Sequence, residues 1–236
     1  MQRLILSLAI SMMLAAAPAL ALSQSEKPVD TDLVLSSAGF LDSHPDLLNR
    51  HRGMEAYEAG RQEDALGWFR RAANYADKPS QAMVAEILWK GEGVARDAAL
   101  AYAWMDLAAE RGYPEFTVLR ERYWAELDEA QRAAAIKRGA EVYAEYGDEV
   151  AKPRIAAVLR RGARKTTGSR TGFVGALKII LRGPGGTEME IDGNRYYDRK
   201  FWEPELYHAW HDAVWMGPRE GRVNIGEVEP LRREDD

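Results

Sequence analysis

The sequence predicts a mainly α-helical chain, a short α-solenoid of helix–turn–helix repeats followed by a small α+β C-terminal module. Three observations predict it. The chain matches itself at an offset of 36 residues, so that "DALGWFRRAANYA" (64–76) falls on "LAYAWMDLAAERG" (100–112). Each copy follows a shorter helical stretch that stops at glycine. After about residue 166 the periodicity changes, and β-rich residues flank the turn sequence "GPGG".

The first segment reads as an address rather than as fold. "MQRLILSLAISMMLAAAPALA", residues 1–21, has one early cation, Arg3, then an apolar core from Leu4 to Ala17, and closes on Ala19-Leu20-Ala21. That is the pattern of a secretory signal peptide cleaved after Ala21. The alternative is an uncleaved anchor, against which the short apolar run argues. No later apolar run approaches the roughly 18 residues of a membrane span, so the mature chain is expected not to be an integral membrane protein. The 236 residues include no cysteine, which excludes a disulfide framework, a thiol nucleophile and a lipobox. The expected location is the periplasm or the outside of a bacterium. Residues 22–43 are expected to form a flexible lead segment.

Residues 44–165 carry the expected repeats. In the aligned copies Ala65 meets Ala101, Trp68 meets Trp104, and Ala72-Ala73 meet Ala108-Ala109. The shared A-x-x-W-x-x-x-A-A recurs at i, i+3, i+7 and i+8, one face of a helix. Before each copy, Tyr57 stands three residues ahead of Gly60, and Leu88 three ahead of Gly91. Stacked helices need small residues where backbones approach and large ones in the gaps between. The alanines are therefore expected at close approaches, with Trp68 and Trp104 as wedges. Gly91, Gly93 and Val94 shape the second turn, and Asp97 is placed to cap the helix after it. A phosphate cradle at "GEGVARD" is the alternative, but the third glycine, the following lysine and the preceding strand are missing.

On these residues, "AMVAEILWKGEGVARDAALAYAWMDLAAERG" resembles a Sel-1-like repeat, a relative of the tetratricopeptide repeat. The residues that carry the likeness are the G-x-G-V-x-x-D turn and the A-x-x-W-x-x-x-A-A-x-x-G helix. The copy at 53–76 lacks the G-x-G-V turn and reads as an ordinary tetratricopeptide unit. The resemblance spans residues 44–127. It implies an α-solenoid that serves as an adaptor for protein complexes, without chemistry of its own. Residues 115–148 read as two further helices broken near Leu127-Asp128, a divergent third pair or a capping pair.

Charge is unevenly placed. The whole chain has a formal net charge of −5. Residues 22–150 hold 15 Lys+Arg against 24 Asp+Glu, whereas residues 151–236 hold 16 against 13. Lys152 to Arg182 carries nine cations and no acid. Such a segment serves either as an arm for an anionic partner or as a complement to the acidic first half. Within it a short helix is expected to begin at Pro153, with Ile155, Val158 and Leu159 on its apolar face and Arg160, Arg161, Arg164 and Lys165 elsewhere.

Residues 166–236 are expected to form the α+β module: a hairpin about "GPGG", a helix opened by Pro204, and a third strand in "GRVNIGEVEPL". Tyr196, Tyr197, Phe201, Trp202, Tyr207, Trp210 and Trp215 crowd into it. Aromatics beside arginines can stack on sugars or peptides, or can fill a core short of aliphatics. Arg160, Arg161, Arg164, Trp202, Tyr207 and Trp210 are the candidate binding surface. The acidic tail "REDD" is expected to be disordered.

Signals for chemistry are sparse. His208 and His211 stand three apart, with Glu205 and Asp212 on neighbouring turns, but the zinc-hydrolase spacing of histidines four apart around a glutamate is missing. His44 and His51 lie in a polar stretch with nothing nearby to organise them. No serine sits in a G-x-S-x-G elbow. Neither a cofactor, a metal nor a catalytic residue is expected, and nucleic acid is not an expected partner. Three functions follow in order: an exported adaptor for a protein partner, a factor holding an envelope glycan or anionic surface, and a hydrolase.

Overall fold

The structure is a computed structural model that describes residues 29–165, 178–182 and 188–217. Among them helices dominate, joined by one two-stranded sheet. The signal-peptide, third-strand and acidic-tail readings lie outside the described residues.

The duplicated helices are α4 (Gln62–Ala73) and α6 (Ala98–Ala108), preceded by α3 (Pro45–Glu58) and α5 (Lys78–Lys90). Each pair packs side by side, α3 on α4 and α5 on α6, and α4 also meets α5. Ala65, Ala72, Ala101 and Ala108 are fully buried at these seams. Gly53 of α3 lies so close to Phe69 of α4 that an added Cβ would sit 2.5 Å from the ring. The turns follow sequence chemistry. Gly60 and Gly91 both adopt left-handed backbone, φ 73° and 70°. Asp77 accepts from the Ser80 N–H at 3.1 Å, and Asp97 from the Leu100 N–H at 3.0 Å.

The two tryptophans differ. Trp104 is a buried wedge, 3% exposed, with the Tyr146 ring 4.6 Å away. Trp68 stays half-buried, and the guanidiniums of Arg52 and Arg71 lie 4.9 and 4.4 Å from its ring centroid. Two cations cover Trp68 where a following helix covers Trp104.

The next segment departs from a third hairpin. α7 (Pro114–Glu126) and α8 (Glu129–Tyr146) turn at extended Leu127, and Asp128 caps α8 through a reciprocal capping box with Gln131. Yet α7 and α8 barely touch one another; both lie on α6. Trp89 of α5 stacks on Tyr123 of α7 at 4.0 Å, and Tyr143 of α8 donates to the Asp106 carbonyl of α6.

α9 runs from Asp148 to Lys165 and not from Pro153. Asp148 and Glu149 suit its positive N-terminal end. Pro153 sits inside it on the solvent side, where the Glu149 carbonyl left without its donor can be hydrated.

The first and last described helices meet, which corrects the expectation for residues 22–43 where they are described. Residues 29–42 are not a loose lead: α1 (Val29–Ser36) and α2 (Ala38–Asp42) bury Val34 and Phe40. Among the described residues, the C-terminal elements share a core with the N-terminal helices. Strands β1 (Lys178–Arg182) and β2 (Glu188–Asp192) pair antiparallel, then come α10 (Gly193–Tyr196), α11 (Arg199–Trp202) and α12 (Pro204–Met216). Ile191, Tyr196, Phe201 and Trp202 pack with Val34, Phe40 and Leu47 in a single cluster. Gly162 lets α9 approach it, since a Cβ there would lie 2.7 Å from the Trp202 ring.

Candidate functional site

α12 lies along the seam between the N-terminal helices and the repeats, and its two sides do different work. One side seals a buried polar cluster, while the other forms a wall of an apolar groove.

The cluster is organised by Arg111, just after α6. Its guanidinium grips Asp148 with two bonds, Nε to Oδ2 at 2.7 Å and Nη2 to Oδ1 at 2.9 Å. It also donates to the Ala76 carbonyl at 3.1 Å and to the Tyr113 hydroxyl at 3.2 Å. Tyr113 in turn donates to Asp212 of α12 at 2.5 Å. Lys78, fully buried, places its ammonium 2.5 Å from Glu110, 3.2 Å from Asp148 and 3.0 Å from the Leu107 carbonyl. Burial alone would raise the Asp148 carboxyl, but Arg111, Lys78 and Lys152 hold it well below the usual carboxylate range. Burial pulls Lys78 down, against Asp148 and Glu110. Ala76, the one non-glycine with left-handed backbone among the described residues (φ 63°), is held there with its carbonyl on Arg111.

A second set lies deeper. Tyr207 of α12 donates to Asp46 of α3 at 2.5 Å, and both are buried. Asp46 Oδ1 and the Nε2 atoms of His208 and His211 are buried without a hydrogen-bond partner among the described residues, His211 Nε2 standing 3.9 Å from Asp46 Oδ2. Burial, with Asp77 nearby, raises the Asp46 carboxyl. Burial, with Arg50 and Arg111, takes His211 well below its ordinary value, and His208 falls to about 4 from burial, Arg111 and Lys152. The space left here is about 10 Å³, room for one water and for no substrate.

These positions correct several sequence expectations. His44 is not an idle polar residue: it is fully buried, stacked on Phe40 at 3.7 Å, with its ring nitrogens 2.8 Å from the Phe40 and Phe201 carbonyls. Trp202 and Tyr207, placed above on a candidate binding surface, are 6% and 1% exposed and belong to the core. Trp202 spends its indole N–H on the Tyr196 carbonyl. Trp210 is half-buried and does line the groove. Arg160, Arg161 and Arg164 are exposed on α9, on the far side of that helix from its buried Ile155 and Leu159. Asp212 turns to Tyr113 and Arg111, whereas Glu205 is exposed, so they do not converge with His208. Among the described residues no group of three or more His, Asp or Glu is placed to hold a metal ion.

The groove is the larger opening, about 530 Å³, bounded by α1–α3 on one side and α12 on the other. Leu35, Leu41, Met54, Trp210, Val214 and Trp215 give it an apolar lining. Val214 is 55% and Met54 36% exposed, unusual for large apolar side chains. Past Met54 and Trp215 the surface continues into a second hollow of about 290 Å³ beside Met83, Met105, Phe116 and Leu119. Met54 and Met83 at the surface, with buried Met105 beneath them, make an adaptable wall, since thioether side chains re-pack at low cost. Asp32, Glu86 and Glu115 stand among the lining residues, Glu86 also being met by Lys90. Arg50 is tied to Asp77 at 3.0 Å.

The groove was not legible in sequence, because its walls come from residues 32–54 and 210–215, far apart in the chain. Trp210 and Trp215 were the groove residues that aromatic density pointed to. No protein-family model, no curated protein and no solved structure matches the chain.

Proposed function

We propose that the protein is an exported helical-repeat adaptor of the Sel-1-like type, working in the cell envelope without chemistry of its own. Its partner lays the apolar face of a basic amphipathic helix into the groove between α3 and α12. The observation that carries this reading is the convergence of exposed Met54 and Val214 with half-buried Trp210 and Trp215 on one continuous channel. Charge supports the choice of occupant: residues 22–150 hold 24 acids against 15 bases, and carboxylates stand along both hollows. The repeat assignment is supported by α4 and α6 lying 36 residues apart in register, each paired with the helix before it. Export is supported by residues 1–21, and no helix among the described residues is long and apolar enough to cross a membrane. A hydrolase reading finds less support, because the space beside the buried carboxylates and histidines, about 10 Å³, admits no more than one water.

Fluorescence anisotropy with a labelled amphipathic Leu/Lys helix peptide tests the proposal. Val214→Asp is expected to weaken binding at least about tenfold, since it buries a carboxylate in an apolar wall. Ile136→Asp, at a still more exposed apolar residue outside the groove, is expected to leave it unchanged. Equal effects of the two substitutions would overturn the assignment.

A further inference from the structure

The cationic face of α9 is not used by the groove. Arg154 and Arg161 lie on the solvent side of this helix, and no acid occurs between Lys152 and Lys165. Opposite them, Asn74 and Tyr75 at the end of α4 complete a cleft of about 360 Å³ with Ala157 and Val158. Among the described residues no carboxylate lines it. Arg154 is pinned in place: its Nη1 donates to the Glu145 carbonyl at 2.7 Å and more weakly to the Asn74 carbonyl and amide oxygens at 3.5 Å. Its other N–H groups, and all of those on Arg161, make no bond among the described residues. A guanidinium fixed through one nitrogen, with its fork still open, is suited to a tetrahedral oxyanion.

We propose that this cleft binds a phosphate-bearing ligand, whose oxygens are taken by Arg154 and Arg161 while the Tyr75 ring flanks the group that carries them. The two arginines are seven residues apart, about 10 Å along the helix axis. That span favours a diphosphate, or two phosphates in succession, over a single phosphate. The ligand reaches the protein either as a soluble phosphorylated compound or as a lipid headgroup.

Two charge-matched substitutions test this in the full chain. Arg161→Gln removes a cation from the cleft, and Arg160→Gln removes one from the same helix outside it. Both residues are exposed, so neither change disturbs the core. Titration calorimetry with inorganic pyrophosphate is expected to show saturable binding, weakened at least about tenfold by Arg161→Gln. Arg160→Gln is expected to change it by no more than about twofold, the effect of a screened surface charge. Flotation with phosphatidylglycerol vesicles, against phosphatidylcholine, identifies the source. Vesicle binding with the same Arg161 dependence, but none to free pyrophosphate, supports the site and assigns it to a headgroup. Absence of binding to both probes, or equal weakening by the two substitutions, overturns the proposal and leaves α9 with a solvated cationic face.

Discussion

His208 makes the fold sensitive to mild acid in a calculable way. In the folded chain its imidazole is depressed from an ordinary 6.5 to about 4, by burial and by the charges of Arg111 and Lys152, against Asp148 and Asp212. As pH falls below 6.5 the unfolded chain takes up a proton that the folded chain refuses, so stability is present above 6.5 and lost down to about pH 4. At about 1.4 kcal/mol per pH unit the full loss is roughly 3 kcal/mol. The ring is only part-buried, and solvent screening brings the expected figure to about 2 kcal/mol. His211, also depressed, acts in the same sense. Asp46 and Asp106 are raised and act oppositely, gaining stability as pH falls toward 3.8. Comparison with His208→Gln cancels these other groups. Urea denaturation followed by tryptophan fluorescence at pH 7 and pH 4 should show the variant losing about 2 kcal/mol less than the parent chain. Identical losses would refute the burial of His208 against Arg111.

Three more outcomes follow from packing. Tyr207→Phe takes from buried Asp46 the hydroxyl that donates to it and should cost about 2 kcal/mol by thermal melting, while an unchanged melting temperature would contradict that bond. Trp104→Ala should cost about 3–5 kcal/mol as a core truncation and Trp68→Ala about 1 kcal/mol, because only the former ring is sealed; equal costs would contradict the asymmetry between the two repeats. Gly91→Ala should destabilise more than Gly60→Ala, although both need left-handed backbone worth about 1 kcal/mol, since only at Gly91 would the new Cβ meet Arg96, at 2.7 Å.

Local signals read well here. Asp97, Asp128, Gly60, Gly91 and Pro204 each mark a helix end, because a cap is set by residues three or four apart and needs no tertiary knowledge. The 36-residue match placed α4 and α6 in register. What stayed hidden depends on distant parts of the chain. Lys78, Arg111, Asp148 and Asp212 each look like surface charges, and only folding brings them within bonding distance. α1 and α2 are too short for periodicity to show which face is buried, so Phe40 and His44 gave no warning of the aromatic cluster they anchor. Tyr207 and Trp202 were legible as an aromatic concentration. Whether rings stack on a ligand or on each other depends on neighbours from residues 34–47, which no local pattern supplies.

The adaptor reading rests on the groove, and methionine methyl NMR of the full chain examines it most directly. Met54, Met83 and Met105 line the two hollows. Titration with the basic amphipathic peptide should shift the methyls of Met54, Met83 and Met105 saturably, and a charge-reversed acidic peptide should bind at least about tenfold more weakly. Shifts spread evenly over all methionines, or confined to residues outside the groove, would contradict it.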